Sequence, residues 1–153
     1  MARFWRRGVS RIQFLPAVAN KAAPSSAEIT AGEDLTPQLA EISGFNFSAN
    51  PITTPDLSTT FDTQIPGPDS TDTSTLTFYD DDADDTIRAA LDKGTRGYLL
   101  FQPYGTGAGD RAEVWRVESL GVNDEWSTGN EAARYAVSFA ILEPPEQAAV
   151  NPS

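Results

Sequence analysis

The chain has 153 residues, and its excess of acidic over basic side chains gives a net charge of −11. Histidine and cysteine are both missing from the sequence, which removes the most common general base, metal ligand and thiolate nucleophile. No disulfide can form, so nothing in the chain requires an oxidising compartment. The composition favours a binding or structural role over an enzyme, and we expect neither a cofactor nor a metal site.

The charge is divided unevenly along the chain. Residues 1–27 contain no Asp or Glu, whereas the chain from Glu28 onward is strongly acidic. The basic N-terminal segment of one copy can bind the acidic remainder of another copy. An acidic surface also repels nucleic acid and anionic membranes. No window approaches the ~18 apolar residues that a membrane span requires. We therefore expect self-association and no membrane partner.

The first third of the chain is predicted to form short strands joined by loops. Residues 11–14 alternate polar and apolar side chains, as a half-buried strand does. Residues 27–30 (AEIT) are predicted as a short strand. Residues 39–49 (LAEISGFNFSA) alternate again and predict a strand with a possible bulge at Gly44.

Residues 49–74 differ from the rest of the chain because they are rich in Thr, Ser, Pro and Asp. Their large apolar residues are few and scattered: Ile52, Leu57, Phe61 and Ile65. A disordered surface loop would have this composition, and so would an extended arm that becomes ordered on a neighbouring molecule. We favour the arm, because isolated large apolar side chains need a surface to pack against.

A strand followed by a helix is predicted in the next segment. Residues 74–80 (STLTFYD) alternate as a strand, and residues 83–93 are predicted as the one helix of the chain. Ile87, Ala90 and Leu91 fall on one face of that helix, and acidic residues at its start suit the helix dipole.

The acidic run of residues 80–85 also invites a calcium interpretation. An EF-hand loop that began at Asp80 would need Gly at its sixth position and Glu at its twelfth, where the chain has Asp85 and Leu91. The run is better explained as a helix N-terminus, with Asp82 or Asp85 as a cap.

The last third of the chain is predicted to form three strands and a tail. Residues 97–104 are nearly all apolar and predict a central strand. The glycines of residues 105–110 precede a strand rather than a helix, so they predict a hairpin loop and not a phosphate site. Residues 111–120 and 133–142 alternate as strands, and residues 144–153 are expected to be loose.

Together these elements predict a single domain over residues 1–153 of the mainly β class. The expected architecture is an antiparallel β-sandwich or small barrel with one α-helix and extended arms.

The N-terminal residues 1–10 form the second predicted arm. Trp5 adjoins two arginines there, and tryptophan is costly to leave in water and enriched at interfaces. Trp115 lies in a predicted strand and is expected in the core. The residues predicted to make inter-subunit contacts come from both arms: Arg3, Phe4, Trp5, Arg6, Arg7, Phe61 and Ile65.

Several stretches, in this order along the chain, resemble the major tail (tail tube) proteins of long-tailed bacteriophages, particularly those that infect actinobacteria. The resemblance covers roughly residues 2–143. Many relatives carry an immunoglobulin-like domain after the tube domain, and we expect this chain to lack it. The stretches are ARFWRRGVSRIQFLP, SAEITAGEDLTPQLAEISGF, QIPG, STLTFYDDD, IRAALDKGTRGYLLFQPYG, AEVWRVESL and ARYAVSFA.

The resemblance implies that six subunits close into a ring, that their inner strands join in one continuous β-barrel, and that stacked rings form the tail tube. The implied partners are other copies of the chain and the tail tip, tape-measure and terminator proteins. DNA would pass through the lumen without specific binding. The acidic composition of the chain separately predicts a negatively charged lumen wall, made mostly of Asp, Glu, Ser, Thr and Asn, because carboxylates do not pair with phosphates. The implied location is the virion tail, with assembly in the host cytoplasm.

Two other classes remain open at this point. One is a carbohydrate- or protein-binding β-sandwich module. The other is a different virion part of similar fold, such as a tail terminator or the tube of a contractile tail.

Overall fold

A computed structural model of the chain describes residues 6–71, 73–83 and 85–152. These residues form mainly antiparallel β structure with two short α-helices, as the sequence predicted for the fold class. The elements in chain order are β1 (Arg11–Leu15), α1 (Ser26–Thr30), β2 (Glu33–Asp34), a 3₁₀ turn (Thr36–Gln38), β3 (Leu39–Ser43), β4 (Phe47–Ala49), β5 (Ile52–Thr54), β6 (Thr63–Ile65), β7 (Asp69–Thr71), β8 (Ser74–Tyr79), α2 (Thr86–Ala90), β9 (Arg96–Gln102), β10 (Arg111–Glu125), β11 (Arg134–Ile141) and β12 (Glu146–Val150).

One eight-stranded antiparallel sheet dominates the fold. Its order is β2-β1-β9-β10-β11-β8-β3, and β12 also pairs with β10. The long strand β10 joins the two halves of the sheet. Its first half pairs with β9 on one side and β12 on the other, and its second half pairs with β11. The register shifts between Ser119 and Gly121, where the positive φ of Gly121 suits a bulge.

The main core lies on one face of this sheet. Trp115, Phe78 and Phe139 are fully buried there, and Ile87 and Leu91 cover them from the α2 side. The predicted core position of Trp115 is therefore confirmed. A second, smaller core lies on the opposite face of β1, β9, β10 and β12 and is closed by side chains of residues 16–32.

The helices differ from the predicted single helix over residues 83–93. Residues 27–30 were predicted as a strand, and this was wrong, because they belong to α1. The sequence S-x-x-E forms a capping box, in which the Ser25 hydroxyl accepts from Glu28 N (3.2 Å) and Glu28 Oε1 accepts from Ser25 N (2.8 Å). α2 is only five residues long, and Asp85 at its start makes no side-chain cap.

The strand predicted for residues 39–49 is interrupted. β3 ends at Ser43, and Gly44 and Phe45 both have positive φ, at 88° and 61°. This turn directs the chain out of the main sheet, and β4 pairs with β7 instead. The bulge expected at Gly44 is thus a sharp change of direction.

The C-terminal residues 144–152 are not loose. Residues Glu146–Val150 form β12 on the edge of β10. Buried Asn151 fixes the end, because its amide nitrogen donates to the carbonyl oxygens of Gly105 (2.9 Å) and Gly107 (3.0 Å) and its amide oxygen accepts from Gln102 (3.0 Å). The tail therefore closes the predicted hairpin loop between β9 and β10.

Candidate assembly surfaces

Residues 47–71 form a long hairpin, called the arm below. Its strands pair in two nested ladders, β4 with β7 and β5 with β6, and residues 55–62 form its tip. The side-chain amide nitrogen of Asn50 donates to Pro68 O (2.9 Å) and to Ser70 Oγ (3.0 Å). The hydroxyl oxygens of Thr54 and Thr63 lie 2.9 Å apart. The arm predicted from composition therefore has hydrogen-bonded structure of its own.

The arm leaves its large apolar side chains in solvent. Leu57 is fully exposed, Phe61 is 72% exposed, and Ile52 and Ile65 are each half exposed. The predicted contact residues Phe61 and Ile65 thus lie on the arm and away from both cores. Leu57, at the tip, was not among the predicted contacts, although the same argument from an isolated apolar residue in a polar segment applies to it.

The base of the arm is anchored in the core by Phe45. Its ring packs edge-to-face on Phe101 (5.1 Å between centroids) and Trp115 (5.7 Å). Its backbone N–H donates to Ser74 Oγ at 2.8 Å. The base of the arm is therefore fixed to the core, whereas its tip is exposed.

Beside the base of the arm, an apolar groove of about 520 Å³ opens at the end of the main core. Its floor includes Ile42, Phe45 and Phe101, and Ile42 is 50% exposed. Its rim carries four arginines and one carboxylate: Arg6, Arg7, Arg11, Arg111 and Glu113.

The rim contains the part of the predicted N-terminal site that the structure describes. Arg6 and Arg7 are exposed and line the groove, whereas Arg3, Phe4 and Trp5 lie outside the described residues. Two rim arginines pair within the chain, Arg11 with Asp34 (3.2 Å) and Arg111 with Glu113 (3.3 Å). Both pairs are exposed to solvent, so they hold these arginines only weakly.

A third surface is the outer face of β3, β8, β11 and the second half of β10, called the open face below. Opposite residues on paired strands point to the same side of a sheet, so the pairing defines three rows across this face. The side chains are mostly small and polar. The rows are Ser43, Thr75, Ser138 and Gly121; Glu41, Thr77, Ala136 and Asn123; and Tyr79, Arg134 and Glu125.

The open face carries little net charge. Arg134 is its one cation, and its guanidinium lies 3.8 Å from the Glu41 carboxylate and 5.3 Å from the centre of the Tyr79 ring. None of the open-face residues belongs to either core of the described residues. The three rows of the open face are thus mostly small and polar, with Arg134 as their one cation.

Ion pairs brace the fold behind these surfaces. Arg88 of α2 donates to both carboxylate oxygens of Asp124 (2.7 and 2.9 Å), which lowers the pKa of Asp124 and raises that of Arg88. Hydrogen bonds from Lys21 (2.9 Å) and Arg116 (2.7 Å) lower the pKa of Glu143. Both sites tie a covering segment to the sheet.

Within residues 6–71, 73–83 and 85–152, no three acidic side chains are placed to hold a metal ion together. Neither helix described here has the length and apolarity that crossing a membrane requires.

Comparison with solved structures finds the same fold in tail-like particles. The chain matches a protein of the anti-feeding prophage cap, which terminates that tube, at 12% identity and TM-score 0.65, with 97% of this chain and 95% of the other covered. A chain of the anti-feeding prophage baseplate matches at 7% identity and TM-score 0.63, covering 95% and 97%. A chain from the tail of an empty GTA particle matches at 12% identity and TM-score 0.57, covering 97% and 100%.

The sequence itself matches one family description over its whole length. No curated protein sequence matches it significantly, but the family described as "Phage tail tube protein" matches residues 1–153. This agrees with the resemblance found in the sequence. The chain therefore belongs to the phage tail tube protein family, and its role is a structural one in the phage tail tube.

Proposed function

We propose that six subunits of this protein close into a ring through β3 and the second half of β10, with the open face lining the lumen. Stacked rings then form the tube through which DNA leaves the particle. In this role the protein forms the wall of a channel and catalyses no reaction.

This proposal rests on two unpaired strand edges, which lie at opposite sides of the open face. β3 ends the sheet on one side. Within the described residues, β10 beyond Glu118 has β11 on one side and no paired strand on the other. An unpaired strand edge is a template for another strand, and closure of the ring would pair both of these edges.

Strand direction supports this closure. The strands β3, β8, β11 and β10 alternate in direction, because each neighbouring pair is antiparallel. β3 and β10 therefore run in opposite directions, and β3 of one subunit beside β10 of the next continues the alternation. Six sets of four strands give a barrel with a backbone diameter of roughly 37 Å before strand tilt widens it.

The chemistry of the open face suits passage of DNA. Duplex DNA is held by cations that pair with its phosphates, in a salt-dependent way. The open face offers one arginine per subunit, beside Glu41 and Glu125, and is otherwise mostly Ser, Thr, Ala and Asn. The open face therefore offers no strong binding site for duplex DNA.

Other partners follow from the position of a tube in a tail. The two ends of the tube meet the tail tip and terminator proteins, and the lumen holds the tape-measure protein during assembly in the host cytoplasm. The exposed arm supplies a contact surface for these steps.

Cysteine labelling tests the proposed lumen, because the natural chain has no cysteine. Ser138→Cys lies on β11 in the middle of the open face, and Ala89→Cys lies on the exposed side of α2, across the core from it. In assembled tubes, Ser138→Cys should react with N-ethylmaleimide but not with a maleimide on a polymer too large to enter the lumen. Ala89→Cys should react with both. Free access of the polymer to Ser138→Cys in intact tubes would reject the lumen assignment.

A further inference from the structure

The arm tip and the groove are complementary in polarity. The tip exposes Leu57 and Phe61, which belong to neither core of the described residues. The groove exposes an apolar floor with Ile42 and Phe45. Each surface leaves apolar area in water that contact with the other would remove.

The two surfaces are also complementary in charge. The arm carries Asp56, Asp62 and Asp69 and no Lys or Arg. The groove rim carries four arginines, of which Arg11 pairs with Asp34 and Arg111 with Glu113, so positive charge is in excess there. Complementary potentials speed encounter and fix which partner binds and in which register.

The occupant of the groove comes from a different subunit. The base of the arm adjoins the groove at Phe45, and the arm then extends over residues 47–56, about 30 Å of strand. Leu57 and Phe61 are exposed at its end, so the tip does not fill the groove of its own chain. A second copy is the partner that carries the matching tip.

We propose that, in the tube, the arm tip of one subunit inserts Leu57 and Phe61 into the groove of a neighbouring subunit, with Asp56 and Asp62 facing the arginine rim. This contact rests on the proposed assembly into a tube and names the surfaces that hold neighbours together. Arg6 and Arg7 recognise the acidic tip, and Ile42 and Phe101 receive its apolar side chains.

Disulfide trapping between two marked chains tests the contact. Phe61→Cys and Ile42→Cys are placed on separate chains of different mass, mixed, assembled and treated with a mild oxidant. A disulfide needs Cβ atoms within about 4.5 Å of each other, so only a tip seated in the groove joins the two chains. Phe61→Cys mixed with Ala148→Cys, an exposed residue of β12, is the matched control and should not cross-link.

A change in assembly gives a second measurement. Leu57→Ser with Phe61→Ser should raise the concentration needed for tube formation by roughly tenfold or more, since buried apolar anchors dominate interfaces. The thermal unfolding of the free subunit should not change, because both side chains are exposed. Ile52→Ser, which lies on the arm outside the tip and is half exposed, should assemble as the natural chain does.

Four outcomes would overturn the contact. Tubes that form without a Phe61–Ile42 cross-link, or at an unchanged concentration with both serines, would reject the contact while leaving the tube intact as a function. A cross-link between Ile42→Cys and Phe4→Cys in place of Phe61→Cys would assign the groove to the N-terminal residues. Failure of the natural chain to form tubes at all would reject the proposed assembly and this contact together.

Discussion

The Ser74 hydroxyl oxygen accepts a hydrogen bond from the backbone N–H of Phe45 at 2.8 Å. This bond lies where the open face, the groove and the arm meet. Ser74 begins β8, a strand of the open face. Phe45 forms part of the groove floor, and the arm leaves the core two residues later. The geometry of one turn therefore sets the relative placement of the wall, the groove and the arm.

Gly44→Ala should disrupt that turn. Gly44 has φ +88°, and an added Cβ would lie 2.6 Å from Ser74 Oγ. We expect a loss of about 2 kcal/mol or more in unfolding free energy by urea titration, from backbone strain and overlap together. Gly94→Ala is the control, because Gly94 has φ +86° with nothing within 4 Å, and it should cost only about 1 kcal/mol. Equal losses would show that the contact with Ser74 is unimportant.

Asn151→Asp should destabilise the packing of the C-terminal strand β12 against the rest of the fold. The Asn151 amide nitrogen donates to two carbonyl oxygens, Gly105 O and Gly107 O. A buried carboxylate cannot donate there and would repel both oxygens, so we expect a cost of about 3 kcal/mol in denaturant unfolding. Asn130→Asp, in an exposed loop, should stay within about 0.5 kcal/mol of the natural chain. A similar small change at Asn151 would mean that the tail is not fixed by this side chain.

Acid should weaken the contact of residues 16–32 with the sheet through Glu143. Bonds from Lys21 and then Arg116 lower its pKa below the usual value of 4.5. A carboxyl with a lowered native pKa stabilises the fold above its unfolded pKa, and this contribution is lost as pH falls through the native value. Glu143→Gln should therefore be less stable than the natural chain at pH 7, and the two should converge below pH 4.5. A constant difference at every pH would contradict this origin.

Duplex DNA should pass through assembled tubes without being held. We expect no salt-dependent retention of duplex by tubes of the natural chain, even at low ionic strength. Ser138→Arg adds a cation to the middle of the open face, six times per proposed ring, and should create such retention. Retention by the natural tubes, or none by the arginine variant, would contradict the assignment of the open face to the lumen.

The sequence predicts the central strands well because they bury one or both faces. The alternation of Leu76 and Phe78 and the apolar run around Leu99 both identify strands that the structure contains. Helix α1 was missed because its five residues are too short for a helical period. The Ser25–Glu28 capping box was the sequence pattern that indicated it.

The elements that the sequence did not predict depend on distant partners. β12 is a mostly exposed strand, and its pairing with β10 connects residues such as Arg111 and Val150, so no local pattern indicates it. The arm strands β5, β6 and β7 are mostly exposed on both faces, and for that reason they show no alternation. The groove joins Arg11, Ile42 and Phe101, which only the folded chain brings together.

Cryo-electron microscopy of tubes assembled from the purified protein would show directly whether the open face lines the lumen of a six-subunit ring. We expect stacked six-fold rings in which β3 of each subunit pairs with β10 of the next and Thr75 and Ser138 face the lumen. A protein that remains monomeric at high concentration and after seeding with tail tips would contradict this expectation. So would a tube whose lumen is lined by α1 or by the arm.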